Sequence, residues 1–283
     1  MTVAEAIREA AQRLATTSDT ARLDAELLMA HALGCSRSDV LLRHMQAGAP
    51  EAFAALVDRR AAREPVAYIL GNQEFYGLDL AVSPAVLIPR GDSEAIVRAA
   101  LAAAPDAKRV LDLGTGSGAL LLAVLSELPG AQGIGIDASP AALEIARQNA
   151  DSLGLADRAA LQAGDWTKPG WADDLGRFDL VIANPPYVED DARLDPDVRD
   201  YEPASALFSG PEGLDDYRII VPQLPRLLTE TGVAVLEIGA SQASEVSEIA
   251  RQHGFTATAH RDLGGRDRAL ELRLALGKGE SSS

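Results

Sequence analysis

The sequence predicts an α/β protein in which a small helical domain precedes a mostly parallel sheet. Three observations support this prediction. The first 65 residues show apolar side chains at helical spacing, a partial period-two alternation begins at Phe75, and strand and helix patterns alternate from Arg109 onward. Such alternation implies right-handed crossovers and a parallel sheet covered by helices. A length of 283 residues is comfortable for two domains.

The helical domain is predicted to extend to residue 72. Its apolar residues recur in three stretches, which are Val3, Ile7, Ala10 and Leu14, then Leu23, Leu27 and Leu28, then Phe53, Leu56 and Val57. After it, apolar residues alternate partially between Phe75 and Val82, and Gly77 suits a turn between two strands. We therefore predict a helical domain over residues 1–72 and a β-hairpin linker over residues 73–90.

The rest of the chain supplies the sheet. The predicted strands are Arg109–Leu113, Gln132–Ile136, Ala159–Gln162, Phe178–Ala183, Gly232–Ile238, Thr256–His260 and Arg268–Leu274. The helices predicted between the first of these strands are Ala119–Leu128 and Pro140–Leu153. We assign residues 91–276 to one domain built on this sheet and predict a disordered tail over residues 277–283.

Composition and charge argue against several classes of function. A formal net charge of −16 does not suit a protein that relies on broad electrostatic attraction to nucleic acid. No apolar run approaches the ~20 residues that cross a bilayer, and the N-terminus lacks the apolar core of a signal peptide, so we expect a cytoplasmic protein without membrane contact. Cys35 is the single cysteine and the four histidines lack metal-ligand spacing, so we expect no metal site.

A glycine-rich loop follows the first strand of the sheet. Asp112-Leu-Gly-Thr-Gly-Ser-Gly118 opens a helix, and its glycines let the backbone turn tightly and approach a ligand that faces the helix N–H groups. Its spacing differs from the G-x-G-x-x-G dinucleotide pattern, and no Gly-Lys-Ser/Thr phosphate clamp follows. The loop residues predicted to bind a cofactor are Gly114, Thr115, Gly116, Ser117 and Gly118.

An acidic residue supports the cofactor interpretation. Asp137 ends the second predicted strand, 19 residues past Gly118, where a carboxylate can accept hydrogen bonds from both hydroxyls of a ribose. Two alternatives stay open at this point. One is a structural turn with an aspartate that caps the next helix, and the other is a nicotinamide dinucleotide site.

The stretch Asn184-Pro185-Pro186-Tyr187, called the tetrad below, follows the strand Phe178–Ala183, and strand ends are where open parallel sheets bind ligands. An amide nitrogen is a poor nucleophile because its lone pair is delocalised, and it carries no removable proton near neutral pH. The Asn184 side-chain oxygen and the Pro185 carbonyl can accept both its N–H groups and aim it, while Tyr187 offers an aromatic face. A proline-rich structural turn is the alternative.

The glycine loop, taken with Gly135-Ile136-Asp137, resembles the S-adenosylmethionine fingerprint of class I methyltransferases. This resemblance implies a Rossmann-like, mostly parallel seven-stranded sheet, with S-adenosyl-L-methionine as methyl donor and S-adenosyl-L-homocysteine as product. It also implies that Trp166 flanks the adenine, with a core aromatic as the alternative, and that Asn184 belongs to both the cofactor site and the acceptor site.

Nearly the whole chain resembles the bacterial peptide chain release factor glutamine methyltransferases. The tetrad is similar to that of enzymes that methylate DNA adenine, ribosomal RNA guanine or protein glutamine, and does not choose among them. The longer matching stretches are Asp24–Leu28, Arg63–Gly71, Glu74–Gly77, Val82–Arg90, Tyr201–Leu207, Gly213-Leu214, Leu236–Gly239 and Asp267-Arg268. One departure is Gly91, where the family usually has a proline.

The family resemblance implies methyl transfer to the amide nitrogen, N5, of the glutamine in the Gly-Gly-Gln motif of release factors. The tetrad is then the catalytic and substrate-binding element, and the helical domain docks the protein substrate. The segment Glu189–Glu202 holds seven acids against two arginines, which suits a basic protein loop or an ordinary solvated surface equally. An amino-nitrogen methyltransferase acting on DNA or ribosomal RNA, and a non-catalytic cofactor-binding module, stay as alternatives.

Overall fold

In the computed structural model, which describes residues 1–275, the segment Leu194–Glu202 groups with the N-terminal helices and not with the sheet. Met1–Asn72 and Leu194–Glu202 make up one compact unit, the helical unit. Gln73–Arg193 and the chain from Pro203 onward make up the other, the sheet unit. The tail predicted over residues 277–283 lies outside the described residues.

The helical unit confirms the expected helical character of the first part of the chain. Numbered along the whole chain, its helices are α1 Val3–Leu14, α2 Ala21–Leu33, α3 Arg37–Asp39, which continues into a π-helical turn at Val40–His44, α4 Ala52–Ala61, α5 Val66–Leu70 and α9 Pro196–Tyr201. Thr2 and Glu5 form a capping box that starts α1. The apolar stripe predicted for α1 is buried, but Leu23 of α2 is 40% exposed, because Ala21 and Ala25 face the core in its place.

Charged contacts attach α9 to the helical unit. Arg60 of α4, whose side chain is 7% exposed, lies 2.7 Å from Asp24 of α2 and 2.7 Å from Asp197 of α9. The Tyr201 hydroxyl donates to a backbone carbonyl just after α4 at 2.7 Å. Breaking one side of a buried ion pair typically costs about 3–5 kcal/mol. These contacts explain why a segment so late in the sequence belongs to the N-terminal unit.

The sheet unit contains a hairpin and a seven-stranded sheet. The hairpin strands are β1 Asn72–Phe75 and β2 Leu78–Ala81, and the sheet strands are β3 Arg109–Leu113, β4 Gln132–Asp137, β5 Ala159–Ala163, β6 Phe178–Ala183, β7 Leu228–Glu237, β8 Phe255–Arg261 and β9 Asp267–Leu274. The sheet order is β5-β4-β3-β6-β7-β9-β8, and β9 alone runs antiparallel to both its neighbours. The predicted mostly parallel, seven-stranded α/β fold is confirmed.

Helices cover the two faces of this sheet. They are α6 Glu94–Ala103, α7 Ala119–Glu127, α8 Pro140–Ser152, α10 Asp215–Ile220, α11 Leu224–Leu227 and α12 Ala243–Gln252. Successive strand residues alternate between two apolar clusters: Leu180 and Ile182 pack with α6 and α7, whereas Val181 and Ala183 pack with α10, α11 and α12. A strand buried on both faces reads as a continuous apolar run, as the sequence shows.

The parallel strands bring three sequence motifs to one edge of the sheet. The glycine loop follows β3, Asp137 ends β4, and the tetrad follows β6. Strands β4 and β6 flank β3 on opposite sides, so the connections from β3 and β6 leave the sheet in opposite directions at this point. Such a topological switch point is where open α/β sheets bind ligands, at the carboxyl ends of the strands.

Candidate active site

The glycine loop between β3 and α7 folds back on the end of β4. Gly114, Gly116 and Gly118 have φ values of +72°, +55° and +83°, in the left-handed region that favours glycine. A Cβ atom added to Gly114 would come within 3.1 Å of the Trp166 ring. The Gly116 N–H donates to the Asp137 carboxylate at 2.9 Å. The loop conformation therefore depends on glycine and on a carboxylate from the next strand.

Both carboxylate oxygens of Asp137 accept backbone hydrogen bonds. Oδ2 accepts from Gly116 and Oδ1 accepts from the Ser139 N–H at 2.8 Å. The residue that caps α8 is Ser139, whose hydroxyl accepts from the Ala142 N–H at 3.2 Å. Each carboxylate oxygen can accept a further hydrogen bond, so Asp137 is held in a fixed orientation with acceptor capacity to spare.

Asp112, at the end of β3, is a buried carboxyl with a raised pKa, a property that the sequence does not predict. It is 1% exposed and accepts a hydrogen bond of 2.7 Å from the Thr115 hydroxyl. Burial raises the pKa of its carboxyl from an ordinary 3.8 to about 7, although the Thr115 hydrogen bond acts in the opposite direction. The nearby charge of Asp137 raises it further.

A cavity of about 400 Å³ opens at this edge of the sheet unit. This volume falls within the range of about 300–1,000 Å³ that is usual for small-molecule sites. Its walls include the predicted residues Gly114, Thr115, Gly116, Ser117, Asp137, Trp166, Asn184 and Pro186. Gly118, Pro185 and Tyr187 do not line it, although Gly118 shapes the loop as the N-cap of α7.

Part of the cavity wall comes from segments in which the sequence predicts no site residue. Apolar residues of the segment treated as a linker, among them Phe75, Val86 and Leu87, line the cavity, as do Pro203, Ser205 and Ala206. Most of these residues lie in the stretches Val82–Arg90 and Tyr201–Leu207, whose resemblance to the family could have indicated a role in the site. Composition alone gives them no function, since apolar residues near a hairpin normally indicate packing.

Trp166, which follows β5, lines the cavity and also packs on an apolar cluster of the sheet. Its indole N–H donates to the Asp216 carboxylate at 2.8 Å, and its backbone carbonyl accepts from Gln223 at 3.1 Å. The second oxygen of Asp216 accepts from the Ser209 hydroxyl at 2.7 Å. The ring is therefore both a core aromatic and a cavity wall, and its orientation is fixed by side chains 50 or more residues away.

The tetrad leaves β6 with its prolines buried and Asn184 half-buried. Asn184 and Pro186 face the cavity. The Tyr187 hydroxyl donates to Glu237, at the end of β7, at 3.1 Å, and its backbone N–H donates to the Leu207 carbonyl at 3.2 Å. Contact between the Tyr187 ring and a planar acceptor stays a prediction.

The acids of Glu189–Glu202 are used in different ways. Asp197 pairs with Arg60 and Asp200 pairs with Arg199, while Glu202 is buried. The exposed acids are Glu189, Asp190, Asp191, Asp195 and Asp200, and the last of these is paired with Arg199. The acidic surface that follows the tetrad in the sheet unit is therefore smaller than the sequence suggests, because it is limited to residues 189–191.

Within residues 1–275 no group of three or more His, Cys, Asp or Glu side chains is arranged to hold a metal ion. In the same part of the chain no helix has both the length and the apolar character needed to span a membrane.

Comparisons with known proteins are consistent along the chain. Residues 5–71 match the model of the PrmC N-terminal domain, and residues 105–237 match a model described as a methyltransferase domain. A release factor glutamine methyltransferase from Rhodospirillum rubrum is 44% identical over 259 residues, covering 89% of this chain and 78% of the relative. Another from Geobacter sulfurreducens is 44% identical over 264 residues, covering 90% of both chains.

Among solved structures, the catalytic domain of hMettl16, in complex with the MAT2A 3′UTR hairpin 6, resembles this chain with a TM-score of 0.56. The two are 17% identical, and the similarity covers 78% of this chain and 83% of that one. At this level of identity the likeness concerns the fold alone.

Proposed function

The chain belongs to the release factor glutamine methyltransferase family, and on this premise we propose the reaction that it catalyses. It transfers the methyl group of S-adenosyl-L-methionine to the side-chain amide nitrogen, N5, of the glutamine in the Gly-Gly-Gln motif of peptide chain release factors, in the cytoplasm. The observation that carries this proposal is that the glycine loop and Asn184 of the tetrad line one cavity. A methyl donor and a planar amide can meet there.

The residues of the cavity fit the cofactor. The glycine at position 114 leaves room beside the Trp166 ring that a Cβ would fill. The Asp137 carboxylate lines the same cavity and keeps acceptor capacity for ribose hydroxyls while it holds the Gly116 N–H. The Trp166 ring offers its face or edge to the adenine. When bound, S-adenosylmethionine supplies an electrophilic methyl group on a sulfonium centre. These residues bind and orient it, and the apolar wall around Val86 limits the access of water.

The tetrad orients the acceptor. The Asn184 side-chain oxygen and the Pro185 carbonyl accept the two N–H groups of the glutamine amide, so that its nitrogen points at the methyl group. With the donor bound, the nitrogen lone pair would take the methyl group from the sulfonium sulfur, and the nitrogen would then release one proton to solvent. Because no strong base is needed, the gain comes from positioning, which can be worth about 7–11 kcal/mol.

The helical unit docks the protein substrate in this proposal. Methyl transfer uses residues of the sheet unit, since the residues that line the cavity all come from it. The helical unit presents Leu41, 36% exposed, and Leu42, 81% exposed, from its π-helical turn. Contacts remote from the reacting atom can be used to orient it, so a truncated substrate loses turnover as well as affinity.

Mass spectrometry of a release factor after incubation with enzyme and cofactor tests the proposal. We expect a mass gain of one methyl group on the Gly-Gly-Gln glutamine, and intact factor should be methylated much faster than a short Gly-Gly-Gln peptide. Asn184→Ala is the matched inactive control. Methylation of DNA or ribosomal RNA, with none of the factor, would refute the acceptor, and equal specificity constants for peptide and factor would refute the docking role.

A further inference from the structure

A buried carboxyl holds the tyrosine of the tetrad. Glu237 is the last residue of β7 and is 2% exposed. Its Oε1 atom accepts the hydrogen bond from the Tyr187 hydroxyl. The Tyr187 ring packs against the apolar cluster that includes Val181 and Ala183 of β6. The orientation of this side chain is therefore set by apolar packing and by one polar contact from the neighbouring strand.

The backbone of Tyr187 is attached to the same region of the sheet unit. Its carbonyl accepts from the Gln242 side chain at 3.1 Å, and Gln242 also accepts from the Gly239 N–H at 2.9 Å. Glu237, Gly239 and Gln242 all lie at or just after the end of β7. Two prolines separate Tyr187 from Asn184, and their fixed φ angles leave few torsions to absorb a displacement. We therefore expect a shift at Tyr187 to displace Asn184.

Charged and titratable groups approach Glu237 from three further elements. Arg268 comes from β9 and lies 3.1 Å from Asp92, which precedes α6 together with Ser93. Tyr217 of α10 donates to the backbone carbonyl of Glu237 at 2.7 Å. Burial raises the pKa of the Glu237 carboxyl from an ordinary 4.5 to about 7. Ser93, Arg268 and the tyrosine of the tetrad offset part of this effect, and Asp92 adds to it.

We propose that Glu237 is a positioning residue for methyl transfer, which acts through its hydrogen bond with Tyr187 to fix the tetrad in the geometry that the acceptor nitrogen requires. The inference rests on the proposed role of the tetrad in holding the acceptor. Glu237 touches neither cofactor nor acceptor in this scheme, and it does not line the cavity.

The ionisation of Glu237 sets the strength of this contact. An ionised carboxylate is a stronger acceptor than a neutral acid. Burial, followed by the Glu237 charge, raises the pKa of the Tyr187 hydroxyl, so the hydroxyl stays a donor near neutral pH even though Arg268 and Arg90 act in the opposite direction. Turnover is therefore expected to rise between pH 6 and pH 8, as Glu237 loses its proton.

Three variants and one matched control test the proposal on purified full-length enzyme. Tyr187→Phe and Glu237→Leu remove the hydrogen bond from either side, and each should lower kcat by about tenfold or more, as expected for a bond to a charged group. Glu237→Gln keeps an acceptor oxygen, so kcat should fall only a few-fold and lose its rise near pH 7. Tyr217→Phe is the control, since it removes a hydroxyl bonded to the backbone of Glu237 and should keep that rise.

A double-mutant cycle separates positioning from general damage. Glu237→Leu combined with Tyr187→Phe should lose about as much kcat as either variant alone, because both remove one interaction. Losses that multiply would overturn the proposal. The dissociation constant for S-adenosylmethionine, measured by calorimetry, should stay within about twofold. If Glu237→Leu does not fold, Tyr187→Phe and Glu237→Gln still decide the matter through kcat and its pH profile.

A spectroscopic readout distinguishes this proposal from the proposed function. The chain has five tyrosines, so labelling with 3-fluorotyrosine gives five ¹⁹F signals, and Tyr187→Phe identifies one of them. That signal should titrate near pH 7 in the wild type and not in Glu237→Gln. If it titrates while release factor stays unmethylated, the acceptor assignment fails and the Glu237 contact stands. If release factor is methylated and kcat is insensitive to Glu237→Leu and Tyr187→Phe, positioning by Glu237 is refuted.

Discussion

Replacing Asp112 with Asn should make the protein more stable at pH 8 and change its stability little at pH 4. Asp112 is 1% exposed at the end of β3, immediately before the glycine loop, and it accepts the Thr115 hydroxyl. An asparagine keeps an acceptor oxygen for Thr115 and removes the charge. The substitution therefore isolates the free energy of ionising a buried carboxyl at the base of the cofactor loop.

The magnitude follows from the raised pKa. Burial moves the pKa of Asp112 from 3.8 to about 7, which is roughly 3 units and therefore about 4 kcal/mol at 1.36 kcal/mol per unit. The pKa in the folded state lies above that in the unfolded state. The folded wild type therefore keeps its full free energy of unfolding below about pH 4, where Asp112 is protonated in both states, and loses about this amount as pH rises through about 7. An amide N–H group in place of the carboxyl has its own need for a partner, so we expect a net gain of about 2–4 kcal/mol at pH 8.

Urea unfolding of the wild type and Asp112→Asn between pH 4.5 and pH 8 measures this effect. The difference in the free energy of unfolding should widen by about 1.4 kcal/mol per pH unit and then level off above about pH 7. Asp106→Asn, at an exposed carboxylate just before β3, is the matched control for removal of one carboxylate from the surface. A difference for Asp112→Asn that does not vary with pH would show that Asp112 ionises normally, and the reasoning would be wrong.

Three further predictions concern the site. Asp137→Ala should raise the dissociation constant for S-adenosylmethionine by roughly tenfold or more, because a charge-assisted contact is lost and the Gly116 N–H loses its acceptor; unchanged calorimetric affinity would contradict it. Asn184→Ala should lose turnover far more than cofactor affinity, and near-wild-type turnover would mean that the tetrad is structural. Gly114→Ala should bind cofactor about tenfold more weakly, because φ of +72° strains an alanine by about 1–2 kcal/mol and the added Cβ would lie 3.1 Å from the Trp166 ring. Equal affinity in the same titration would exclude such strain.

The sheet and the meeting of its motifs could be predicted because parallel topology fixes where strand ends lie. Short apolar runs marked the strands, and the alternation with helices implied that β3, β4 and β6 end at one edge. Asp137 and Asn184, 47 residues apart in sequence, both follow strands that end at this edge, and both line the cavity. The position of the two residues at one edge needed only the pattern of strands and the handedness of crossovers, whereas their shared role in a cofactor site is an implication of the family resemblance.

The start of β7 was predicted four residues too late. The sequence predicts a strand from Gly232, whereas β7 begins at Leu228 and ends at Glu237. Thr229, Glu230 and Thr231 look like a polar turn before a glycine. In the structure Leu228 pairs with Phe178, and the register then shifts before the next pair, so an irregularity carries the strand through a stretch that lacks apolar alternation.

Side-chain contacts across long sequence separations could not be predicted. Trp166 is held by Asp216 and Tyr187 by Glu237, each pair 50 residues apart. A single hydrogen bond of this kind leaves no period in the sequence, and its partners are common polar residues. These contacts orient the predicted site residues, so the sequence identified the residues of the site better than their surroundings.

The same limit explains the chain that follows the tetrad. Val188 and Phe208 form an isolated β-bridge within the sheet unit. The residues between them are therefore a long loop, or excursion, whose two ends are paired with each other. Its middle, Leu194–Glu202, belongs to the helical unit through the ion pair between Asp197 and the buried Arg60. Ordering such an excursion costs conformational entropy, which a buried ion pair and the Tyr201 hydrogen bond offset. The contacts of Asp197 with Arg60 and of Tyr201 with the Ala62 carbonyl therefore hold the middle of this excursion within the helical unit, although no sequence pattern connects the two segments.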